Sequence, residues 1–319
     1  MAGEQRSVTL RFLAAPMDAN VRGYVGGGKI LEWIDKAGYA CAVGWAGHYT
    51  VTAYVGNIHF EQTVRVGDMV EVEARVVYTG RTSLQVVCTV MSYDPMTGRR
   101  VINTQCLLVF VAMGADGRPT PVPQFVPEDS WERDEHERAQ ALTVVRREVE
   151  EAMADQVYSE ATEACRETLR FLAAPTDVNW GGKVHGGYVM HWIMTAGKLV
   201  AERWHHGHAR ATYAGGVRFY RPMFIGDLVE VDARLIYTRG AEMHVSVYVR
   251  SGDPRSTELQ TTTHCTVVYT AKDEADGDVE VRPWVPRLPE DRALERHAVD
   301  LVDIRDKLGR REVHQHPLP

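Results

Sequence analysis

Asp35, Asn179, His185 and the pair Gly186-Gly187 are the residues of this 319-residue chain whose types and spacing could act on a carbonyl group. A helix that opens on Gly-Gly presents backbone N–H groups with no side chain in the way. It also offers the positive end of the helix dipole, which suits an oxyanion forming on a carbonyl. A carboxylate such as Asp35 can take a proton from water or attack directly. These residues stand out because the chain says the same thing twice. The block Leu10–Pro16 recurs letter for letter as Leu169–Pro175, 159 positions later. The same offset carries Asp18 and Asn20 onto Asp177 and Asn179, Gly67-Asp68 onto Gly226-Asp227, Tyr78-Thr79 onto Tyr237-Thr238, and Cys106 onto Cys265. A repeat of this length is a duplicated domain, not a solenoid unit of roughly 20–50 residues.

Used as an internal alignment, the two copies divide the chemistry. Copy two has Asn179, His185, Gly186 and Gly187; copy one has Asn20, but Gly26 stands in place of the histidine. Copy one has Asp35 on its helix, and the equivalent position in copy two is Met194. Asp35 lies eight residues past Gly27 on its own helix, about 12 Å at the α-helical rise. One reacting carbonyl cannot touch both ends of that span, so a site needing both groups must draw them from two helices. The complete pair is Asn179 and Gly186 of copy two with Asp35 of copy one. The opposite pair, Asn20 and Gly27 with Met194, lacks its acid. The expectation is one active and one silent site.

The elements that must position these groups read alike in both copies. A short strand ends at Ala-Ala-Pro, a polar Gly-rich loop containing Asp-x-Asn follows, and a helix starts at Gly27-Gly28 or Gly186-Gly187. Ile30, Ile34, Ala37 and Cys41 share one side of the first helix, as Val189, Ile193, Ala196 and Val200 share one side of the second. Four strand-like runs come next. Val70–Val76 and Val229–Leu235 alternate cleanly, the pattern of antiparallel strands with one wet face. Turns are marked by Gly67-Asp68, Asp94-Pro95, Gly98 and Asp253-Pro254. A curved sheet wrapped on the helix is the simplest way to bury both, an α+β arrangement. The expected boundaries are a first domain over 1–128, a charged helical tail and linker over 129–166, a second domain over 167–290 and a C-terminal helical tail over 291–319. Arg146-Arg147 and Glu148–Glu151 are expected on a solvated face, and His314–Pro319 as a frayed end.

The bulk numbers exclude several classes. A net charge of −7 argues against a general binder of nucleic acid or anionic membranes. Five cysteines without a C-x-x-C spacing fit free thiols in a reducing cytoplasm, with Cys106 and Cys265 as small core residues. No apolar stretch is long enough to span a bilayer, and Met1–Val8 lacks the apolar core of a signal peptide. His205-His206-Gly207-His208 has no carboxylate or cysteine company and is expected as an exposed turn rather than a metal site. Gly23-(x)4-Gly28-Lys29 begins like a phosphate-binding loop, but Ile30 follows where Ser or Thr should hold Mg²⁺. No Gly-x-Ser-x-Gly occurs.

The order Asp-x-Asn, Gly, Val, Gly-Gly and an apolar helix, present twice, resembles the hotdog-fold acyl-CoA thioesterases. The duplication resembles their double-hotdog acyl-CoA hydrolases. Asn57-Ile58-His59-Phe60, Val66-Gly67-Asp68, Gly80-Arg81-Thr82-Ser83 and Val122–Glu128 belong to the same resemblance, which covers roughly residues 8–128 and 167–290. It implies a tandem (double) hotdog fold that hydrolyses acyl-CoA to free acid and CoA. Asp35 would be general base or nucleophile, Asn179 would position water or the carbonyl, the Gly186 N–H would polarise the carbonyl, and His185 would catalyse or orient the loop. It implies CoA contacts at Arg81, Thr82 and Ser83 and at Thr52-Ala53, where the following Tyr54 departs from the usual small residue. Copy two carries Arg239-Gly240-Ala241-Glu242 at the turn and has lost the hydroxyls. The resemblance further implies no metal or bound cofactor and a homo-oligomer, a trimer of double hotdogs. Trp33, Trp45, Trp180 and Trp192 are candidates to close an acyl tunnel. Two other readings are a non-catalytic acyl-CoA sensor, which would have no need of Asp35, and a hotdog hydratase. The hydratase would want an Asp and a His closely spaced in one loop, and Asp177 and His185 are eight apart.

Overall fold

A computed structural model describes residues 2–56, 58–154, 156 and 159–308. Asn57, the stretch His314–Pro319 and the side chains of Arg146, Arg147, Glu148 and Glu150 lie outside what is described. The described chain forms two compact units that divide between residues 147 and 148.

The first unit runs β1 (Ser7–Leu13), α1 (Gly27–Ala46), β2 (Thr50–Val55), β3 (Ile58–His59), β4 (Met69–Thr79), β5 (Ser83–Tyr93) and β6 (Arg100–Ala112), then into α2 (Ser130–Ala154). Its five longer strands pair antiparallel in the order β1-β4-β5-β6-β2. The second unit repeats this with β7 (Arg166–Leu172), α3 (Gly186–His205), β8 (His208–Ala214), β9 (Val217–Arg218), β10 (Leu228–Arg239), β11 (Glu242–Gly252), β12 (Gln260–Lys272) and α4 (Pro289–Leu308). Its order is β7-β10-β11-β12-β8. Each unit is thus a long helix against a curved antiparallel sheet, the tandem hotdog that the sequence leads one to expect. The helical stripe is buried in both copies: Ile30, Ile34, Ala37 and Cys41 on α1, and Val189, Ile193, Ala196 and Val200 on α3. Each larger aliphatic side chain so buried contributes roughly 1.5–3 kcal/mol. Close approach of helix and sheet is written at Gly38 and Gly197. A Cβ on Gly38 would meet the Phe110 ring at 3.1 Å, and one on Gly197 would meet the Tyr269 hydroxyl at 2.8 Å.

The far face of each sheet takes a second helix. A bulge at Val77 and its counterpart at Ile236 let consecutive strand residues serve both faces. Val77, Val87 and Leu107 pack against Ala139 of α2, and Ile236 packs against Leu294 and Ala298 of α4. Residues 129–147, read from sequence as tail and linker, therefore pack with the first unit. β7 begins at Arg166 and α4 at Pro289, each slightly ahead of the expected boundary.

One expectation fails. β4 alternates buried with half-exposed residues, but the polar face of β10 is not wet: Glu230, Asp232 and Arg234 are all buried. Residues near 159 and the start of α4 cover them. Arg234 donates to the Ser159 carbonyl at 2.8 Å and to Glu290 at 2.9 Å, while Asp232 accepts from Arg166 at 2.6 Å and from Thr168 at 3.0 Å. Charges enter an interior only when paired and hydrogen-bonded, and long-range partners supply that here.

On the same face His264 is buried in a stack, with Tyr248 at 4.7 Å and Tyr220 at 5.5 Å between ring centres. Its Nε2 donates to the Met153 carbonyl at 3.1 Å. Burial lowers its pKa from 6.5 to about 4, against the Met153 hydrogen bond, which raises it. The folded state then binds fewer protons than the unfolded chain between these values. The contribution is complete above pH 6.5 and is lost as pH falls toward 4, on the order of 3 kcal/mol in all. Copy one holds Gln105 at the equivalent position, bonded to Thr89 at 2.7 Å. His264→Gln should flatten the decline of thermal stability between pH 6.5 and 4, read by melting curves at stepped pH.

Candidate active site

Asp35 projects from α1 into the first unit's interior and is 2% exposed. The Thr52 hydroxyl on β2 donates to its Oδ1 at 2.7 Å. Thr52 pairs with Phe110, and the register shifts immediately after it, leaving Ala53 as the bulged residue. A bulge re-aims the side chains around it, here beside the strand's contact with the acid. Cys88 on β5 lies close by, its Sγ donating to the Ile34 carbonyl. Burial above all, then Cys106, Cys41 and the Asp35 charge, push the Cys88 thiol well above its ordinary range, so it stays a thiol. In the second unit Cys265 is likewise pushed up to about 12 by burial, and its counterpart in the first unit, Cys106, is also buried.

A second buried carboxylate escaped the sequence reading. Glu32, one turn before Asp35, is 3% exposed and bonded to Lys36 at 2.6 Å and Lys29 at 3.2 Å. Burial works to raise its pKa, but the two lysines prevail and lower it. The spacing Lys29-Glu32-Lys36 was the available signal. Glu32 is committed to cations, whereas Asp35 faces a hydroxyl.

Arg81-Thr82-Ser83 forms the tight turn between β4 and β5, closed by the Gly80 N–H donating to the Ser83 carbonyl at 2.8 Å. Thr52, Phe110 and Leu84 lie in register across β2, β6 and β5. The turn and the Asp35–Thr52 pair therefore occupy one end of one sheet, about two strand spacings or ~10 Å apart at Leu84. Arg81 is exposed and, among the described residues, has no acidic partner. In the second unit's turn Arg239 pairs with Glu242 at 3.3 Å.

The loops that lead into α1 and α3 share one construction. Asn20 Oδ1 accepts from the N–H groups of Arg22 (2.9 Å) and Tyr24 (3.3 Å); Asn179 Oδ1 accepts from Gly181 (2.8 Å) and Lys183 (3.0 Å). Both asparagines shape their loops through oxygen, which fixes the amide orientation and leaves NH₂ as the donor half. Asp18 and Asp177 accept from Ala15 and Ala174 and close the preceding turn. The helix starts differ. His185 caps α3, its Nδ1 accepting from the Gly187 N–H at 3.1 Å. An accepting Nδ1 carries no proton, so the hydrogen of the neutral ring sits on Nε2. The cap takes Gly187; among the described residues nothing accepts from the Gly186 N–H. In α1, Gly26 offers no side-chain cap.

The remaining sequence candidates fall elsewhere. Met194 is buried in α3 where copy one has its acid. Trp45 donates to the Pro123 carbonyl at 3.0 Å and packs on Phe125, which makes it a core strut, and Trp180 is 69% exposed. His205 ends α3, His206 caps it in a left-handed conformation, and His208 pairs with Glu202 at 3.1 Å. Among the described residues no three His, Cys, Asp or Glu side chains are grouped to hold a metal ion.

The family model described as "Thioesterase superfamily" matches residues 22–99 and again residues 181–258. Among curated proteins, an acetyl-coenzyme A thioesterase of Rattus norvegicus is 25% identical, over 94% of this chain and 57% of its own length. An uncharacterized acyl-CoA thioester hydrolase of Bacillus subtilis (strain 168) is 33% identical, over 37% of this chain and 68% of its own. The chain spans about 57% of the length of the first curated relatives it matches. Among solved structures, an acyl-ACP thioesterase from Bacteroides thetaiotaomicron VPI-5482 is similar in fold. Its TM-score is 0.52 at 13% identity, over 84% of this chain and 100% of its own.

The Asp35–Thr52 bond makes a direct prediction. Removing the donor leaves a buried carboxylate short of one partner, a cost of about 1–3 kcal/mol. Thr52→Ala should lower the urea midpoint by a corresponding amount, while Thr52→Ser should keep most of the stability.

Proposed function

Because the chain belongs to the thioesterase superfamily and carries its domain twice, we propose that it hydrolyses acyl-CoA thioesters to a free carboxylic acid and CoA. The observation that carries this reading is Asp35: a carboxylate buried on the inner face of α1, held by a threonine hydroxyl and distinct from the lysine-bound Glu32. Burial of such a group is expensive and is retained where chemistry uses it.

In the proposed reaction Asp35 takes a proton from water as the water oxygen bonds to the thioester carbon. The carbonyl oxygen gains the electron pair, and the Gly186 N–H and the Asn179 NH₂ stabilise that charge. Collapse breaks the C–S bond; CoA leaves as thiolate and is protonated, and the acid remains. His185 keeps the N-terminus of α3 in shape through Gly187. In this reading the acid and the oxyanion donors come from different helices, because the eight-residue rise from Gly27 to Asp35 is too long for one carbonyl. Arg81, exposed at the hairpin turn, suits a CoA phosphate, with Thr82 and Ser83 beside it. The reading calls for no metal or cofactor.

Three chains would assemble, covering apolar residues such as Met17, Val21 and Phe224 that the single chain exposes. A cytoplasmic setting accords with five cysteines, none of which forms a disulfide among the described residues. Among the described residues no helix is long and apolar enough to cross a membrane.

The test is release of free thiol from a panel of acyl-CoAs, short to long. Asp35→Asn should lower kcat by about 100-fold or more, the scale of general acid–base catalysis, with the fold intact by circular dichroism. Saturable CoA binding without turnover in the wild-type chain would instead mark a binding protein.

A further inference from the structure

The two copies differ at the acid position by more than the acid. Asp35 corresponds to Met194, and its hydroxyl partner Thr52 corresponds to Ala211. The strand partner of Thr52 is Phe110; the strand partner of Ala211 is Tyr269, the equivalent residue. In copy two the Tyr269 hydroxyl donates to the backbone carbonyl of Met194 at 2.6 Å. It is seated so tightly against α3 that Gly197 has no room for a Cβ. In copy one the Phe110 ring packs on Gly38 in the same place without a hydroxyl. Each helix is therefore tied to its sheet by a hydrogen bond at the same level: through the side chain of Asp35 from β2 in one copy, and through the backbone of Met194 from β12 in the other.

We propose that copy two was silenced by a linked exchange of three residues. Met194 and Ala211 remove the acid and its hydroxyl together, and Tyr269 takes over the tie between helix and sheet. Removing only the acid would leave the Thr52 equivalent as a half-buried hydroxyl without its acceptor, and removing only the hydroxyl would leave a buried carboxylate short of a donor; both are costly, the second more so. Replacing both with apolar groups is close to neutral, and the tyrosine restores a bond that the exchange had cost. Tyr269 is thus a positioning residue of the silent copy, and Met194→Asp by itself does not rebuild a working carboxylate. Rebuilding it takes all three residues of copy one.

This inference rests on the hydrolase reading, and its test separates the two. In the full chain carrying Asp35→Asn, the set Met194→Asp/Ala211→Thr/Tyr269→Phe should recover thiol release at least 10-fold above Asp35→Asn, while Met194→Asp added singly should recover none. A folded triple variant with no recovery, or a single variant that recovers as much, would overturn the linked exchange. Wild-type turnover in Asp35→Asn would instead sink the assignment of the acid. Thermal unfolding judges the exchange without any turnover. In the otherwise unaltered chain Met194→Asp should lower Tm, adding Ala211→Thr should regain at least half of that loss, and Tyr269→Phe alone should lower Tm. The absence of regain, or an unchanged Tm in Tyr269→Phe, would refute the exchange even if the triple variant fails to fold.

Discussion

A carboxylate on the inner face of a helix is the constraint around which the first unit is arranged. Asp35 would be expelled or neutralised in a purely apolar interior. It is kept by a hydroxyl from a neighbouring strand, aimed by a bulge directly after Thr52. Two other features fit around this pair. The glycine at position 38 lets α1 settle onto Phe110, bringing the helix close enough for the bond. The lysines at 29 and 36 hold the other buried carboxylate, Glu32, in ion pairs. The result is one acid bound by cations and one left facing a neutral donor on the same three turns of helix.

The second unit keeps the architecture and changes the physics. Its helix has the same length and the same buried stripe, yet its inner face at the acid level is apolar. On the far side of its sheet Arg166, Asp232, Arg234 and Glu290 form an ion network in which Asp232 and Arg234 are fully buried. Its helix start also differs from that of the first copy in that a histidine caps Gly187, after a loop held by Asn179. Relaxing one buried charge lets a fold recover stability at the expense of activity, the usual trade at functional positions.

Much of this could be read directly from the residues. Helical spacing identified the buried faces of α1 and α3, and the internal repeat identified Asp35 as an acid without a counterpart. Both are local patterns, written in order along the chain. The asparagine loops were also legible, because an Asx turn closes within four residues. The wet face expected for β10 was misjudged: strand alternation reports which side chains share a face, but not whether a distant helix covers it. Thr52 was read as a CoA contact, and its bond to an acid 17 residues earlier has no signature in spacing.

The sequence by itself determined the duplication, the α+β tandem architecture and the asymmetric placement of Asp35, His185 and the glycine pairs. Each depends on periodicity or on position-by-position comparison, which a linear string carries in full. Only the tertiary structure decided which donor holds Asp35 and that Tyr269 ties down the carbonyl of Met194 from 75 residues away. Those contacts depend on strand register and on bulges that shift it by one residue. Such a shift turns side chains from one face to the other, and it is settled by packing across the whole sheet.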